Sequence, residues 1–355
     1  MIQKLLFRIL LLPFSLLYGM GVGLRDFFYR TGVLKPVTFD LPLISVGNLS
    51  VGGAGKSPHI EYLTLLLKDY INLAILSRGY QRKTKGYREV QLNHDALQSG
   101  DEPLQFKRKF PDVLVVVSES RTFAIPKILS DYPGVQCVLL DDAFQHRSIQ
   151  PGLNILLTEY DRPYTRDWLL PSGRLREGRK AAHRADIIIV SKCPAELLST
   201  QREQFIQMLS PFTYQKIFFS YYQYDAAYHM FNTNLRINRW GELSVLLICA
   251  IANTDYLNRH LEQVCGEVFT LEYEDHHYFT KYDLGHLKDK FKNIQSSQKV
   301  ILTTEKDAMR LQIHRDFIIE HQLPIFVLPV KVAFHDDDGQ AFDQAVKQFL
   351  LNFTI

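Results

Sequence analysis

The chain has little of what staples a fold or spans a membrane. It holds 4 cysteines (Cys137, Cys193, Cys249 and Cys265) in 355 residues, none in Cys-x-x-Cys spacing. Neither a disulfide framework nor a zinc knuckle is therefore expected, and the pattern fits a reducing cytosol. An excess of either charge is missing as well. Lys+Arg number 41 against 38 Asp+Glu, and the resulting +3 gives no argument for nucleic acid as a partner. No solenoid-like repeat and no low-complexity tract is present. With 46% hydrophobic and 22% charged residues, disordered and fibrous classes are excluded. The length suggests two domains with a sizeable core.

A full membrane span is also lacking. The charge-free run from Ile9 to Leu24 lies between Arg8 and Arg25. As a helix it reaches roughly 24 Å, short of the ~30 Å hydrocarbon core. Pro13, Gly19, Gly21 and Gly23 weaken it further, and no small-x-small cleavage site follows it. Its cationic flanks (Lys4, Arg8, Arg25, Arg30) and its aromatics Phe27, Phe28 and Tyr29 suit a helix lying in the interface. The competing reading is a buried core helix. The expectation is a membrane-associating segment over 1–35.

What the chain has in abundance is short, continuous apolar runs. LISV from Leu43, LAIL from Leu73, VLVVV from Val113, VQCVLL from Val135, LNILL from Leu153 and DIIIV from Asp186 read as strands covered on both faces. Helical stretches such as Pro58 to Lys68 and Arg121 to Ser130 separate them. The pattern predicts a doubly wound, mostly parallel α/β domain over 36–212. The alternating aromatic stretch 213–240 reads as an antiparallel connector. The runs VLLICAI, EVFTL, KVILT and IFVLP then predict a smaller α/β domain over 241–355, whose end could pack back on the first.

The strongest chemical signal is GNLSVGGAGKSP, placed between the first strand and a helix. Ser50, Val51, Gly52, Gly53, Ala54, Gly55, Lys56 and Ser57 form a P-loop pattern, with Ser50 where glycine is usual. Its glycines let backbone N–H groups close around phosphate oxygens. Lys56 adds a cation, Ser57 a hydroxyl for Mg²⁺, and the helix start its dipole. VLLDDAFQH then brings Asp141 and Asp142 to a strand's carboxyl end, where a metal carboxylate belongs. A helix cap is the alternative for one of the two. Neither SKCP (Ser191 to Pro194) nor TEKD (Thr304 to Asp307) completes a guanine-reading motif, which favours ATP.

Two basic stretches, Arg78 to Arg88 and Arg174 to Arg184, suggest an anionic substrate or surface, against the reading of solvated faces. GDEP places Asp101 and Glu102 before a helix. EDHHYFT sets Asp275, His276 and His277 in a row, and adjacent histidines point apart. An acid–base or orienting role for one of them is therefore favoured over a shared metal.

Together these motifs resemble a known family. GNLSVGGAGKSP, LSRGY, GDEP, DDAFQH, LLPSGRLRE, DHHYFT and TEKDAMRL stand in the order of the tetraacyldisaccharide 4′-kinases, and the resemblance runs to about Lys331. It implies a Mg²⁺- and ATP-dependent kinase acting on the 4′-hydroxyl of a tetraacylated glucosamine disaccharide 1-phosphate, a lipid A precursor. The reaction would take place at the cytoplasmic face of the inner membrane, with an amino-terminal helix as anchor. By position, Asp101 matches the proposed base and His276, preceded by Asp275, its partner. Arg176 and Glu177 match a pair near the phosphates and metal, His146 closes the DDxxQH motif, and Glu102 is a further metal candidate. Ala143-Phe144 replaces the Gly-Leu or Gly-Phe of many relatives. A membrane-associated NTPase switch with no lipid-sugar product is the alternative function.

Overall fold

In a computed structural model of the chain, residues 8–353 are described; Lys4, expected as one cationic flank, lies outside them. The chain divides into two compact units. One comprises Met1–Arg78, Val113–Tyr222 and Val332–Ile355; the other comprises Gly79–Asp112 and Gln223–Lys331. The GDEP segment, which the sequence-based division puts in the first domain, belongs to the second unit. The carboxyl-terminal residues join the first, an arrangement the sequence reading allows for that end.

The first unit is built on a large parallel sheet. Its strands run side by side as Val330–Phe334, Lys216–Tyr224, Ile187–Ser191, Leu153–Glu159, Leu43–Asn48, Cys137–Asp141, Leu73–Ser77 and Leu114–Val117. Leu43–Asn48, Leu73–Ser77, Cys137–Asp141 and Ile187–Ser191 are buried at every residue, as continuous apolar runs require when both sheet faces are covered. The aromatic stretch after Thr213 departs from expectation. Lys216–Tyr224 pairs parallel to Ile187–Ser191, so it is a strand of this sheet and not an antiparallel connector. Within that stretch Tyr228–His229 and Asn232–Arg236 do pair antiparallel, Tyr228–His229 runs antiparallel to Ile325–Leu328 as well, and these strands belong to the second unit.

The helix Leu12–Arg30 belongs to the first unit and has two unlike faces. On one, the Ser15 hydroxyl donates to Ser172 Oγ at 2.8 Å and the Tyr18 hydroxyl to the Arg176 carbonyl at 2.8 Å. Arg25 pairs with Glu177 and Asp26 with Arg147. On the other, Phe14, Leu17, Met20, Leu24 and Phe27 are exposed, spaced three or four apart. No helix among the described residues is long and apolar enough to cross a membrane.

The second unit has its own mixed sheet, in the order Asn232–Arg236, Tyr228–His229, Ile325–Leu328, Lys299–Thr304, Ser244–Cys249, Glu267–Glu272. The last four of these pair in parallel. Val245, Leu247, Leu257, Leu261 and Leu302 fill its core. The helix Asp101–Lys109 opens with two acids and closes with Lys107, Arg108 and Lys109, matching its dipole at both ends.

Candidate active site

The glycine-rich loop leaves the Leu43–Asn48 strand and enters the Lys56–Leu67 helix through Gly55, whose φ of 89° is open to glycine at little cost. Val51 N–H donates to the Arg174 carbonyl at 2.7 Å and Arg176 N–H to the Leu49 carbonyl at 2.8 Å, so the loop is laced to the 174–176 segment. Beneath it, His59 contacts the Gly55 carbonyl through Nδ1 at 2.7 Å and Ser220 Oγ through Nε2 at 3.1 Å. Burial pushes this imidazole down to about 4, so it is neutral at pH 7.

Lys56 Nζ lies 3.3 Å from Asn48 Oδ1 and 3.7 Å from Asp142 Oδ1. Arg176 Nη1 donates to Asp142 Oδ2 at 3.0 Å and to Gln145 Oε1 at 3.2 Å. Burial opposes ionisation of Asp142, but Lys56 and Arg176 outweigh it and hold the carboxyl at about 2. Asp142 also sits at φ 45°, which turns the chain sharply past the strand. Gly47 makes room for that turn, since a Cβ there would stand 2.6 Å from Phe144 Cβ. The neighbouring Asp141 is buried and accepts from the Ser77 hydroxyl at 2.8 Å. His146 follows on the same turn, its N–H bonded to the Ala143 carbonyl. Burial, together with Arg121 and Arg78, lowers its imidazole to about 3.

Sequence reasoning passed over Arg121. This guanidinium is 1% exposed, yet it heads the Arg121–Asp131 helix and donates through Nη2 to the Asp141 and Asp142 carbonyls. Burial lowers it to about 10, so it stays charged. Its Nε and Nη1 have no hydrogen-bond partner. Buried, unsatisfied donors beside the loop are what an anion would satisfy. Its place at the head of the helix that follows a buried strand was the one available signal.

Glu177 is fully buried and paired with both Arg25 and Arg184. Two cations neutralise it, as Lys56 and Arg176 do Asp142, and through it the amino-terminal helix and Arg184 are tied together. Glu102 is likewise given to a cation, Lys306, at 3.2 Å in the second unit. Among the described residues no three His, Cys, Asp or Glu side chains cluster as a metal cage. Ser57 in the first helical turn with Asp141 and Asp142 remains as an oxygen donor set. Mg²⁺ typically takes one or two carboxylates and completes its shell from phosphates and water, so that set fits it.

The second unit brings Asp101 and His276 together. His276 Nδ1 stands 3.2 Å from Asp101 Oδ2, and Asp101 Oδ1 accepts from Glu102 N–H at 2.9 Å. Asp101 is buried, which disfavours its charge, but Lys306, His276 and Arg310 together hold it well below the usual carboxylate range. Asp275 lies 3.9 Å from His276 Nε2. The two adjacent histidines do diverge: His277 Nε2 contacts Asp283 Oδ2 at 2.9 Å instead. TEKD starts a helix. Thr304 Oγ1 accepts from Asp307 N–H at 3.1 Å, and this cap presents Lys306 and Arg310 one turn apart.

A family model described as tetraacyldisaccharide-1-P 4′-kinase matches residues 7–351. The chain belongs to that family. A tetraacyldisaccharide 4′-kinase of Flavobacterium johnsoniae is 41% identical over 345 residues, 97% of this chain and 98% of the relative. One from Bacteroides fragilis is 40% identical over 343 residues, 95% and 91% of the two chains. The crystal structure of LpxK from Aquifex aeolicus in complex with ATP superposes with a TM-score of 0.72 at 27% identity, covering 97% of this chain and 99% of that one. The mixed α/β fold with a large parallel sheet is thus shared with a tetraacyldisaccharide 4′-kinase family structure.

Proposed function

We propose that this protein is an ATP-dependent kinase that phosphorylates the 4′-hydroxyl of a tetraacylated glucosamine disaccharide 1-phosphate, a precursor of lipid A. The observation that carries the reading is the meeting of Lys56 with Asp142, 3.7 Å apart at the head of the loop-to-helix turn. That is the pairing of phosphate cation and metal carboxylate on which P-loop phosphoryl transfer relies. ATP and Mg²⁺, when bound, supply the transferring group and neutralise its bridging oxygens.

The residues of this chain do the rest. N–H groups of the glycine-rich turn from Gly53 to Ser57, other than that of Ala54, would cradle phosphate oxygens, and Lys56, Arg121 and Arg176 hold positive charge where negative charge builds. Ser57, Asp141 and Asp142 would hold the metal. His146, neutral at pH 7, packs beside them. Asp101, kept ionised, orients the acceptor hydroxyl and receives its proton as the new O–P bond forms, with His276 and Asp275 tuning its surroundings. The exposed apolar face of Leu12–Arg30, about 28 Å long, would lie in the headgroup region at the cytoplasmic face of the inner membrane. An enzyme lying there would meet an acylated substrate without extracting it.

The test is to incubate the purified protein with labelled ATP and the disaccharide 1-phosphate. A bisphosphorylated lipid is the expected product. ATP turnover that ignores the acceptor would point to the NTPase switch instead.

A further inference from the structure

Lys306 is the charged group that the reaction above leaves without a task. Its ammonium lies 3.2 Å from His276 Nε2 and 3.2 Å from Glu102 Oε1, with its side chain only 18% exposed. We propose that Lys306 is a positioning residue that fixes His276 as the neutral Nδ1–H tautomer, so that Asp101 and not the imidazole takes the acceptor's proton. The proposal rests on the kinase reading and deepens it.

The argument is one of donors and acceptors. A lysine ammonium has three donors and no acceptor, so a partner 3.2 Å away must offer a lone pair. His276 Nε2 is that partner, which leaves the ring proton on Nδ1, facing Asp101 Oδ2 at 3.2 Å. Both ring nitrogens are then committed. Asp275 Oδ2, 3.9 Å from Nε2, would favour a proton there, but it is farther away and 37% exposed, whereas Lys306 is nearer and drier. Arg310 Nε, 3.5 Å from Asp101 Oδ2, adds positive charge on the carboxylate side. A proton added to Nε2 would therefore face an ammonium directly.

The surroundings keep this arrangement in place. His276 sits at φ 61° with its N–H bonded to the Ala250 carbonyl at 3.1 Å, and the Tyr80 ring meets its imidazole edge-on at 4.9 Å. Glu102 anchors Lys306 from the first turn of the helix that Asp101 begins. Burial works against the Lys306 charge, but Glu102, Asp101 and Asp275 raise its affinity for the proton above that of a free lysine. In the transfer step the acceptor O–H bond breaks, the O–P bond forms, and the bond to the leaving diphosphate breaks. The proton ends on Asp101, and the Nδ1 proton of His276 stays where it was. A loose transition state asks for proton acceptance late, which a well-placed carboxylate of low basicity can provide.

The experiment is long-range ¹H–¹⁵N correlation on the full-length protein with ¹⁵N-labelled histidine, paired with acceptor-dependent kinetics. Wild type should show His276 protonated at Nδ1 and not at Nε2. Lys306→Met should shift the ring toward Nε2–H, lower kcat about 10- to 100-fold, and add an acid-side fall in kcat that wild type lacks, with KM for ATP unchanged. Lys306→Arg should restore the tautomer and most of the turnover. An Nε2–H signal in wild type, or a Lys306→Met protein with unchanged tautomer and pH profile, overturns the proposal. Should Lys306→Met fail to fold, the wild-type spectrum decides by itself. Failure of the kinase reading would appear as absent acceptor phosphorylation and would leave the tautomer result standing.

Discussion

Lys56 and His59 sit one turn apart on the same helix, yet they govern different properties. Lys56 is held by Asn48 and Asp142 and faces the loop, while Asp142 keeps Arg176 as a second cation. Lys56→Ala should therefore fold normally and lose turnover by several orders of magnitude, because a charge that stabilises the transferring phosphoryl group is gone. Near-normal kinase activity in labelled-ATP assays would remove the P-loop assignment. His59 is buried among Gly55 and Ser220, and its folded-state value of about 4 lies below the unfolded 6.5. Its contribution to stability is thus complete above the unfolded value and is lost as pH falls from there toward 4. The two values are worth about 3 kcal/mol at the lower end. His59→Gln should flatten the fall in urea midpoint between about pH 7 and about pH 5, although the variant is weaker throughout. An unchanged slope would mean that other groups carry that acid sensitivity.

At the scale of elements, the helix Leu12–Arg30 separates a docked face from an exposed apolar one, the face proposed above to meet the membrane. Ser15, Tyr18, Arg25 and Asp26 tie it to the first unit, and Gly19 permits close approach to Leu169 Cδ1, which a Cβ would meet at 3.1 Å. Deleting the helix would strip Arg25 from the fully buried Glu177 and so mix two effects. The cleaner change is Leu17→Glu with Met20→Glu and Leu24→Glu, all on the exposed face. We expect vesicle binding to drop by at least tenfold while melting temperature and ATP affinity stay close to wild type. Retained binding to vesicles in flotation assays would refute the interfacial reading. The sequence made the apolar run legible but not the docking face, whose polar partners lie more than 120 residues away. The strands were legible for a related reason: full coverage on both faces leaves an unbroken apolar signature. Lys216–Tyr224 was misread because it is buried only from Phe218 to Ser220 and more exposed toward both ends, and strand direction has no periodicity of its own.

Across the whole molecule, sequence order and spatial grouping part company. Gly79–Asp112 interrupts the first unit's sheet in sequence yet belongs to the second unit, so a reading by contiguous domains puts Asp101 and His276 on opposite sides of a boundary that does not separate them. Nothing local in GDEP signals this, because the segment's assignment rests on partners such as Lys306 and Arg310, about 200 residues downstream. The dyad is therefore a preformed feature of one unit and needs no motion between units to assemble it. A consequence follows for fragments of the chain. The contiguous stretch 223–331 carries the whole of the second sheet, but without 79–112 it lacks Asp101 beside the fully buried Arg310 side chain and Glu102 beside Lys306. It also lacks Leu104 and Phe106, both fully buried in the intact chain. Removing an anionic partner from a buried charge costs about 3 kcal/mol or more, a large share of a small domain's stability. The 223–331 fragment should show no cooperative unfolding transition by circular dichroism. Joining 79–112 to it through a flexible linker should restore one, together with the His276–Asp101 contact seen in histidine ¹⁵N spectra. A cooperative, fully folded 223–331 fragment would show instead that the GDEP helix is an accessory to that unit and that its core is self-sufficient.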